Sequence, residues 1–462
     1  MSGITIYEFD ALVAEAPACA VGEGAHAIPA HVFDWLERRC LSVAEDCDAP
    51  WLRFSRRSGR RAIQVTSFVG VIRAPDGFQI EVLPKVGRAM DGGDVVARQL
   101  LIDMLRCLHG FRHIQTDSAK LLARRMPLLE VFIAEFLRTV AQLVKRGLRG
   151  DYSAREENLF ALRGKLLVAQ HLRQNRCRAD RFYTARHEFS IDRPENRLLH
   201  AALRSVLQQS ASPANQQLAR EVEFAFADVP ASEHPRVDFQ QVRLDRGMGL
   251  YADALAWARL ILDAQAPLPG NGRHNAPSLL FPMEAVFEAF VTEHLALQVA
   301  RPRMLKAQAR SHHLVRHCEQ HWFWMKPDLL IRDADHDVLL VLDTKWKLLD
   351  GLKANGADKY GLSQADFYQL HAYGHSYLHG AGDVVLIYPR TDRLTEALPV
   401  FDFTGGSELR LWVLPFCLTS RKLCLPDDAP FLPCFCSGSH ASGRYADGVN
   451  DRQHHGVLES LA

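Results

Sequence analysis

The sequence lacks most of the features that would place it quickly. Its ten cysteines include no CxxC pair, which argues against a zinc ribbon or a disulfide framework and for a reducing cytoplasm. Cys417, Cys424, Cys434 and Cys436 fit no iron–sulfur spacing. No apolar run approaches the roughly 18 residues that a membrane span needs. The opening "MSGITIYEFDALVAEAPACA" has acids and no basic stretch before an apolar core, unlike a secretory signal. No GxxxxGK[ST] loop is present, so this chain is expected to bind no nucleotide. With 55 basic and 54 acidic residues the net charge is +1, too little for a chain that neutralises many phosphates unaided. No internal repeat is visible.

What is present is ordinary globular material: 462 residues, 48% hydrophobic and 24% charged, enough for two or three domains. Residues 1–95 read as β-rich. In "AIQVTSFVGVIRAPDGFQIEVLPKV" two strand-like runs flank Pro75-Asp76-Gly77, a turn tripeptide. Residues 96–268 read as mostly helical and as the candidate partner-binding region. "DVVARQLLIDMLRCLHG" and "PLLEVFIAEFLRTVAQLVKRGL" repeat apolar residues at helical spacing and end near a glycine that suits a C-cap. "APLPGNGRHNAPSLLFP" breaks the pattern as a linker. Residues 275–425 then alternate helix, strand, strand, helix, strand, which describes a compact α/β domain. From 426 to 462 Pro, Gly, Ser, His and Asp predict a disordered tail. The fold class expected is therefore α+β or α/β multidomain.

Chemistry concentrates in "KPDLLIRDADHDVLLVLDTKWK". Aliphatic runs on either side of a polar turn predict a β-hairpin. Asp328 begins the first strand and Asp343 lies near the end of the second, so the two approach each other across the pair. Period-two alternation sends Lys345 the same way as Asp343. Paired carboxylates repel and attract a divalent cation, and oxygen donors with open water positions suit Mg²⁺ or Mn²⁺. A lysine beside them could orient an attacking water and stabilise charge on a phosphoryl oxygen. The plainer alternative is a surface hairpin whose Asp343–Lys345 ion pair matters little. Upstream, Glu288 sits among apolar residues in "AVFEAFV", with Glu284 one turn earlier as its competitor. Downstream, Gln369 and Tyr373 share one helix face. Two basic features stand apart: "RFSRRSGRR" (Arg53, Arg56, Arg57, Arg60, Arg61), a phosphate patch or a charged hairpin tip, and Arg163 and Lys165 around Gly164.

These residues carry a resemblance. "PD…DTK" resembles the PD-(D/E)xK nuclease signature, with Asp328, Asp343 and Lys345 in its three places. Glu288 matches the acid on the first helix, and Gln369 and Tyr373 match the QxxxY motif of the RecB-like branch, often accompanied by an acid such as Asp366. "FVGVIRAPDGFQIEVLPKV", "RGLRGDYSAREENLFALRGKLL" and "RPENRLLHAAL" further resemble McrC, the nuclease subunit of McrBC modification-dependent restriction systems, over residues 60 to 425. The resemblance implies a restriction-endonuclease-like domain with Asp328, Asp343 and Glu288 on Mg²⁺ (Mn²⁺ as substitute) and Lys345, Gln369 and Tyr373 completing the catalytic set. It also implies an McrB-like AAA+ GTPase hexamer as partner, whose hydrolysis this chain stimulates and which recognises modified double-stranded DNA. A role in antiviral defence follows from the same resemblance, and since one centre addresses one strand, two copies of the nuclease are expected to meet in the active assembly. A catalytically inactive activator of a motor NTPase, or a RecB-like repair nuclease, are the alternatives.

Overall fold

The structure, a computed structural model, describes residues 3–15, 24–46, 51–57, 59–89, 92–108, 127–245, 247–263, 278–404 and 408–436. The chain divides into two compact units. Unit 1 is Met1–Glu293 with Thr344–Leu348, and unit 2 is His294–Asp343 with Leu349–Ala462. It is a mixed α/β multidomain protein, and no helix among the described residues is long and apolar enough to cross a membrane.

Unit 1 begins with two four-stranded sheets. The first runs Gly3–Tyr7, Gln79–Leu83, Phe68–Arg73 and Ser278–Pro282; the second runs Ala25–Ile28, Ala11–Ala14, Arg60–Val65 and Leu52–Arg57. The run expected as one strand before the Pro75 turn is therefore two, broken at Thr66-Ser67 and shared between the sheets. Both sheets and the helix Ala30–Asp46 bury one core around Ile6, Leu12, Val32, Leu36, Ile63 and Val82. The turn at Pro75-Asp76-Gly77 forms as expected. The Asp76 carboxylate accepts from Phe78 N–H at 3.0 Å, and Gly77 takes φ 89°, which a glycine adopts without steric cost.

The segment read as a linker divides at 278. Residues 264–277 lie outside the described residues, but Ser278–Pro282 is a strand antiparallel to Phe68–Arg73. At its crossing Gly70 has φ 132°, and an added Cβ would stand 1.9 Å from the Leu279 carbonyl oxygen. Only glycine lets the two backbones approach so closely.

The helices Leu128–Arg146, Pro194–Gln209, Pro213–Phe224 and Gly249–Asp263 lie within the region that reads as mostly helical. They bury Phe136, Trp257, Leu199 and Val206. Gly147 ends the first of these at φ 91°; the glycine expected to cap the preceding helix, Gly110, lies outside the described residues. A buried carboxylate joins three of them. Glu130 accepts from Ser210 Oγ at 2.7 Å, Ala211 N–H at 2.6 Å and Asn215 Nδ2 at 2.8 Å.

The middle region, read as mostly helical, also holds strands that the sequence reading did not find. Asp151–Leu159, Phe182–Ser190 and Lys165–Leu166 make a three-stranded antiparallel sheet. Neither long strand has an apolar face, so no alternation announces them. Cross-strand charge supports them instead: Arg186 reaches Glu157 at 3.1 Å and Arg155 reaches Glu188 at 3.6 Å.

Unit 2 is built on a sheet in the order Met304–Ala307, Leu329–Arg332, Val338–Thr344, Ala381–Pro389, Glu408–Cys417, Phe401–Asp402. Its long central strands, Ala381–Pro389 and Glu408–Cys417, are parallel, and both read as aliphatic runs because both faces are covered. The helix Gln364–Tyr377 packs on one face, where Leu370, Tyr373 and Tyr377 share a core with Leu330, Val341, Val384, Leu386 and Leu411. The tail expected from 426 is packed as far as Cys436: Phe431, Cys434 and Phe435 are buried, and Phe435 bridges Val299. Residues 437–462 lie outside the described residues.

Candidate active site

The predicted hairpin is the second pair of the unit 2 sheet. Its strands are antiparallel, Leu329 opposite Leu342 and Leu330 opposite Val341. One step further outward the same register sets Asp328 opposite Asp343. The turn between the strands is held by one side chain, the Asp333 carboxylate, which accepts from Asp335 N–H at 3.0 Å and Asp337 N–H at 2.9 Å. Alternation puts Asp343 on the face of Val341 and Asp328 on the face of Leu330, the face that the helix Gln364–Tyr377 covers. Asp343 is 1% exposed, which disposes of the surface-hairpin alternative.

The helix brings its expected pair to the same place. Gln369 Nε2 donates to the Tyr373 hydroxyl at 2.9 Å, and that hydroxyl donates to the Lys326 carbonyl at 3.1 Å, two residues before Asp328. Burial raises the Tyr373 pKa above the ordinary phenol value, and the negative charges of Asp343 and Asp328 raise it further against the pull of the Gln369 bond. The phenol is thus a donor throughout the physiological range.

Two partners carried weaker signals or none in the sequence. Tyr388 occupies the same sheet face as Val384 and Leu386, and its hydroxyl donates to Asp366 Oδ2 at 3.3 Å. Burial, then the charges of Asp366 and Asp343, push its pKa strongly upward. Tyr377 donates to the Met325 carbonyl at 3.2 Å. Asp328, Asp343, Asp366, Gln369, Tyr373 and Tyr388 therefore form one polar neighbourhood inside unit 2. Tyr388 could have been found only by counting in twos along "DVVLIYP".

Lys345 and Glu288 belong to unit 1. The strand ends at Thr344, one residue short of Lys345, so the period-two argument for the lysine stops just before reaching it. What fixes the segment is the next residue. Trp346 is 5% exposed, and its indole Nε1 donates to both Glu8 carboxylate oxygens at 3.0 Å. Lys85 Nζ donates to the Trp346 carbonyl at 2.9 Å, and Lys85 N–H donates to Glu8 at 2.9 Å. Burial pushes the Glu8 carboxyl up to about 7 and the Lys85 amine down. Glu288 is half-buried on the helix Met283–Ala296, while its competitor Glu284 is exposed and adds to the field on Glu8 and Lys85.

The arginine cluster is a hairpin, Leu52–Arg57 against Arg60–Val65. Arg53 bonds Gln64 at 2.6 Å and Arg61 pairs with Glu37 at 2.7 Å, while Arg57 lines an open cavity of about 450 Å³ with Lys85 and Arg88. Arg163 and Lys165 are exposed around Gly164 at φ 84°.

Among the described residues no three of His, Cys, Asp and Glu form a group that could hold a metal. What unit 2 offers is a pair of carboxylates. That donor set fits a hard cation such as Mg²⁺, which keeps several waters and needs only one or two protein carboxylates; it does not suit zinc.

Comparison with known proteins gives a family and a fold. The family described as "McrBC 5-methylcytosine restriction system component" matches residues 63–389. A chain from the Thermococcus gammatolerans assembly of McrB AAA+ hexamers with bound McrC is similar in fold, with a TM-score of 0.64 at 20% identity, covering 90% of this chain and 95% of that one. A chain of the Thermococcus gammatolerans McrBC complex matches at 0.49 and 21% identity, over 65% of this chain and 89% of that one. No curated protein matches the sequence.

Proposed function

The chain belongs to the family of McrBC 5-methylcytosine restriction system components, and from that premise we propose that it is the McrC-like subunit, a metal-dependent DNA endonuclease. The observation that carries the reading is the pairing of Asp328 with Asp343 on a covered sheet face, bordered by Gln369 and Tyr373. A carboxylate pair with one member buried and the other half-buried costs stability unless it is put to use.

In this reading the carboxylates of Asp328 and Asp343 hold Mg²⁺, or Mn²⁺ in its place, with Glu288 as a further oxygen donor. The bound cation supplies charge stabilisation to the scissile phosphodiester and acidity to the attacking water. Lys345 orients that water and compensates charge developing on a phosphoryl oxygen. Tyr373, kept protonated, braces the Lys326 carbonyl and with it the backbone leading into Asp328. Gln369 holds the tyrosine in that orientation. Each centre addresses one strand, so a double-strand break needs two copies in the active assembly.

The partner in this reading is an McrB-like AAA+ GTPase hexamer, whose hydrolysis this chain stimulates while binding no nucleotide itself. Fold similarity to a chain solved in an assembly of McrB AAA+ hexamers with bound McrC supports that choice, as does the missing phosphate loop. The near-zero net charge supports leaving recognition of the modified base to the partner. The work is cytoplasmic and defensive, directed at methylated DNA. The test is cleavage of methylated and unmethylated duplexes by the chain with its partner GTPase, Mg²⁺ and GTP. Wild type cuts the methylated duplex; Asp343→Asn, shown to fold by circular dichroism, leaves it intact. Undiminished cleavage by that variant overturns the assignment.

A further inference from the structure

Three features of unit 2 meet in one element that the reading above does not use. His312–His317 and Gln320–Met325 form an isolated two-stranded sheet. Its turn is two residues long, Cys318 and Glu319 at φ 46° and 60°, the left-handed pair of a type I′ hairpin. A lone ribbon of this kind is marginal in water, yet it displays Trp322, Phe323 and Trp324 at 43%, 68% and 56% exposure. Phe323 holds φ 59°, a conformation that bulky side chains rarely adopt.

The rings are already ordered. His313 stacks on His321 at 3.7 Å, His317 lies 4.8 Å from Trp322, and His313 lies 5.8 Å from Trp324. The charge around them is one-sided. Arg316 on the ribbon pairs with Glu319, and the flanking residues 304–311 and 326 add Lys306, Arg310 and Lys326 with no acid, in a chain whose net charge is only +1.

The ribbon is tied to the candidate site at its root. The Tyr377 hydroxyl donates to the Met325 carbonyl and the Tyr373 hydroxyl to the Lys326 carbonyl, and the His312 ring lies 4.4 Å from Tyr377. The helix that carries Gln369 and Tyr373 thus also anchors the ribbon, and Asp328 follows two residues after Lys326.

We propose that this ribbon contacts the DNA substrate, its aromatic side chains stacking on or wedging between bases while the cations that flank it, Lys306, Arg310 and Lys326, meet phosphates. The proposal rests on the nuclease reading and names the element that holds the strand beside the carboxylate pair. Exposed aromatic rings interleaved with cations are what a sequence-tolerant nucleic-acid platform requires, and apolar side chains on β-ribbons are inserted between base steps by architectural proteins. A protein-docking patch would instead be depleted of charge at its centre.

The test is fluorescence anisotropy of a labelled duplex titrated with the full chain in EDTA, where binding is read without cleavage. Trp322→Ala with Trp324→Ala should weaken binding by about tenfold or more, from the stacking lost. Tyrosine at both positions should restore most of it, since a phenol still stacks. Arg310→Ala should lower the salt dependence of binding by about one ion. Wild-type affinity in the double alanine variant, folded by circular dichroism, overturns the proposal. So does loss of partner-GTPase binding with DNA affinity intact, which would make the ribbon a protein-docking surface. Cleavage separates this idea from the one beneath it. A wild type that cuts, with alanine variants that bind and cut equally well, sinks the ribbon alone; a wild type that never cuts, with variants that lose DNA, sinks the nuclease reading alone.

Discussion

Replacing Trp346 by phenylalanine removes one N–H from a buried carboxylate and little else. That N–H reaches both oxygens of Glu8 at 3.0 Å, and Glu8 is 2% exposed. Burial raises the Glu8 pKa from 4.5 to about 7, against the opposing pull of Lys85 and of the indole. A raised carboxyl favours the fold most below its unfolded value, and that contribution is lost as pH climbs to the folded value. The indole bonds the ionised form, so its removal lifts the folded value further. A hydrogen bond to a charged group is worth about 1.5–3 kcal/mol, or about one to two pKa units at 1.36 kcal/mol each. The variant therefore goes on losing stability above pH 7, where the wild type has levelled off. Urea unfolding of the intact chain, followed by far-UV circular dichroism at about pH 6 and about pH 9, should show a gap wider by about 2 kcal/mol at the higher pH. An equal gap at both, or one that widens toward acid, would refute the account of Glu8.

Other perturbations test other parts. Glu130→Ala strands the donors of Ser210, Ala211 and Asn215 and should cost about 3 kcal/mol, read as a lower urea midpoint; a loss under about 1 kcal/mol would mean the network is incidental. Gly70→Ala drives a methyl into the Leu279 carbonyl and should cost about 2 kcal/mol or more by separating Ser278–Pro282 from its neighbour, seen as faster amide exchange in that strand. Tyr373→Phe removes the donor to Lys326 and should slow single-turnover cleavage about tenfold without unfolding the chain; an unchanged rate would confine the phenol to packing.

How much was legible in the sequence depended on what each residue had to do. The hairpin at Leu329–Thr344 could be read because aliphatic side chains on both strands are buried, and its two carboxylates are conspicuous in that setting. Gln369 and Tyr373 were legible through helical spacing. Tyr388 was not, since a tyrosine closing an aliphatic strand looks like core. The strands at Asp151–Leu159 and Phe182–Ser190 escaped because charge pairs, not an apolar face, hold them. The ribbon at His312–Met325 escaped for a related reason: its turn is Cys-Glu, without the Asn-Gly or Asp-Gly dipeptide that usually marks a two-residue hairpin. Ser278–Pro282 was absorbed into a linker because its partner strand lies some 200 residues earlier in the chain, beyond any local pattern.

That last strand bears on how the protein is made. Phe68–Arg73 has no neighbour on one side until Ser278–Pro282 has been synthesised, and the Glu8 pocket stays open until Trp346 arrives. A nascent chain cut off at 268 would carry an unpaired sheet edge and a buried acid without its donor, both invitations to aggregate. Unit 1 is therefore a structure that the chain can finish only after the first stretch of unit 2, His294–Asp343, has already been written, and the two halves are poor candidates for separate expression.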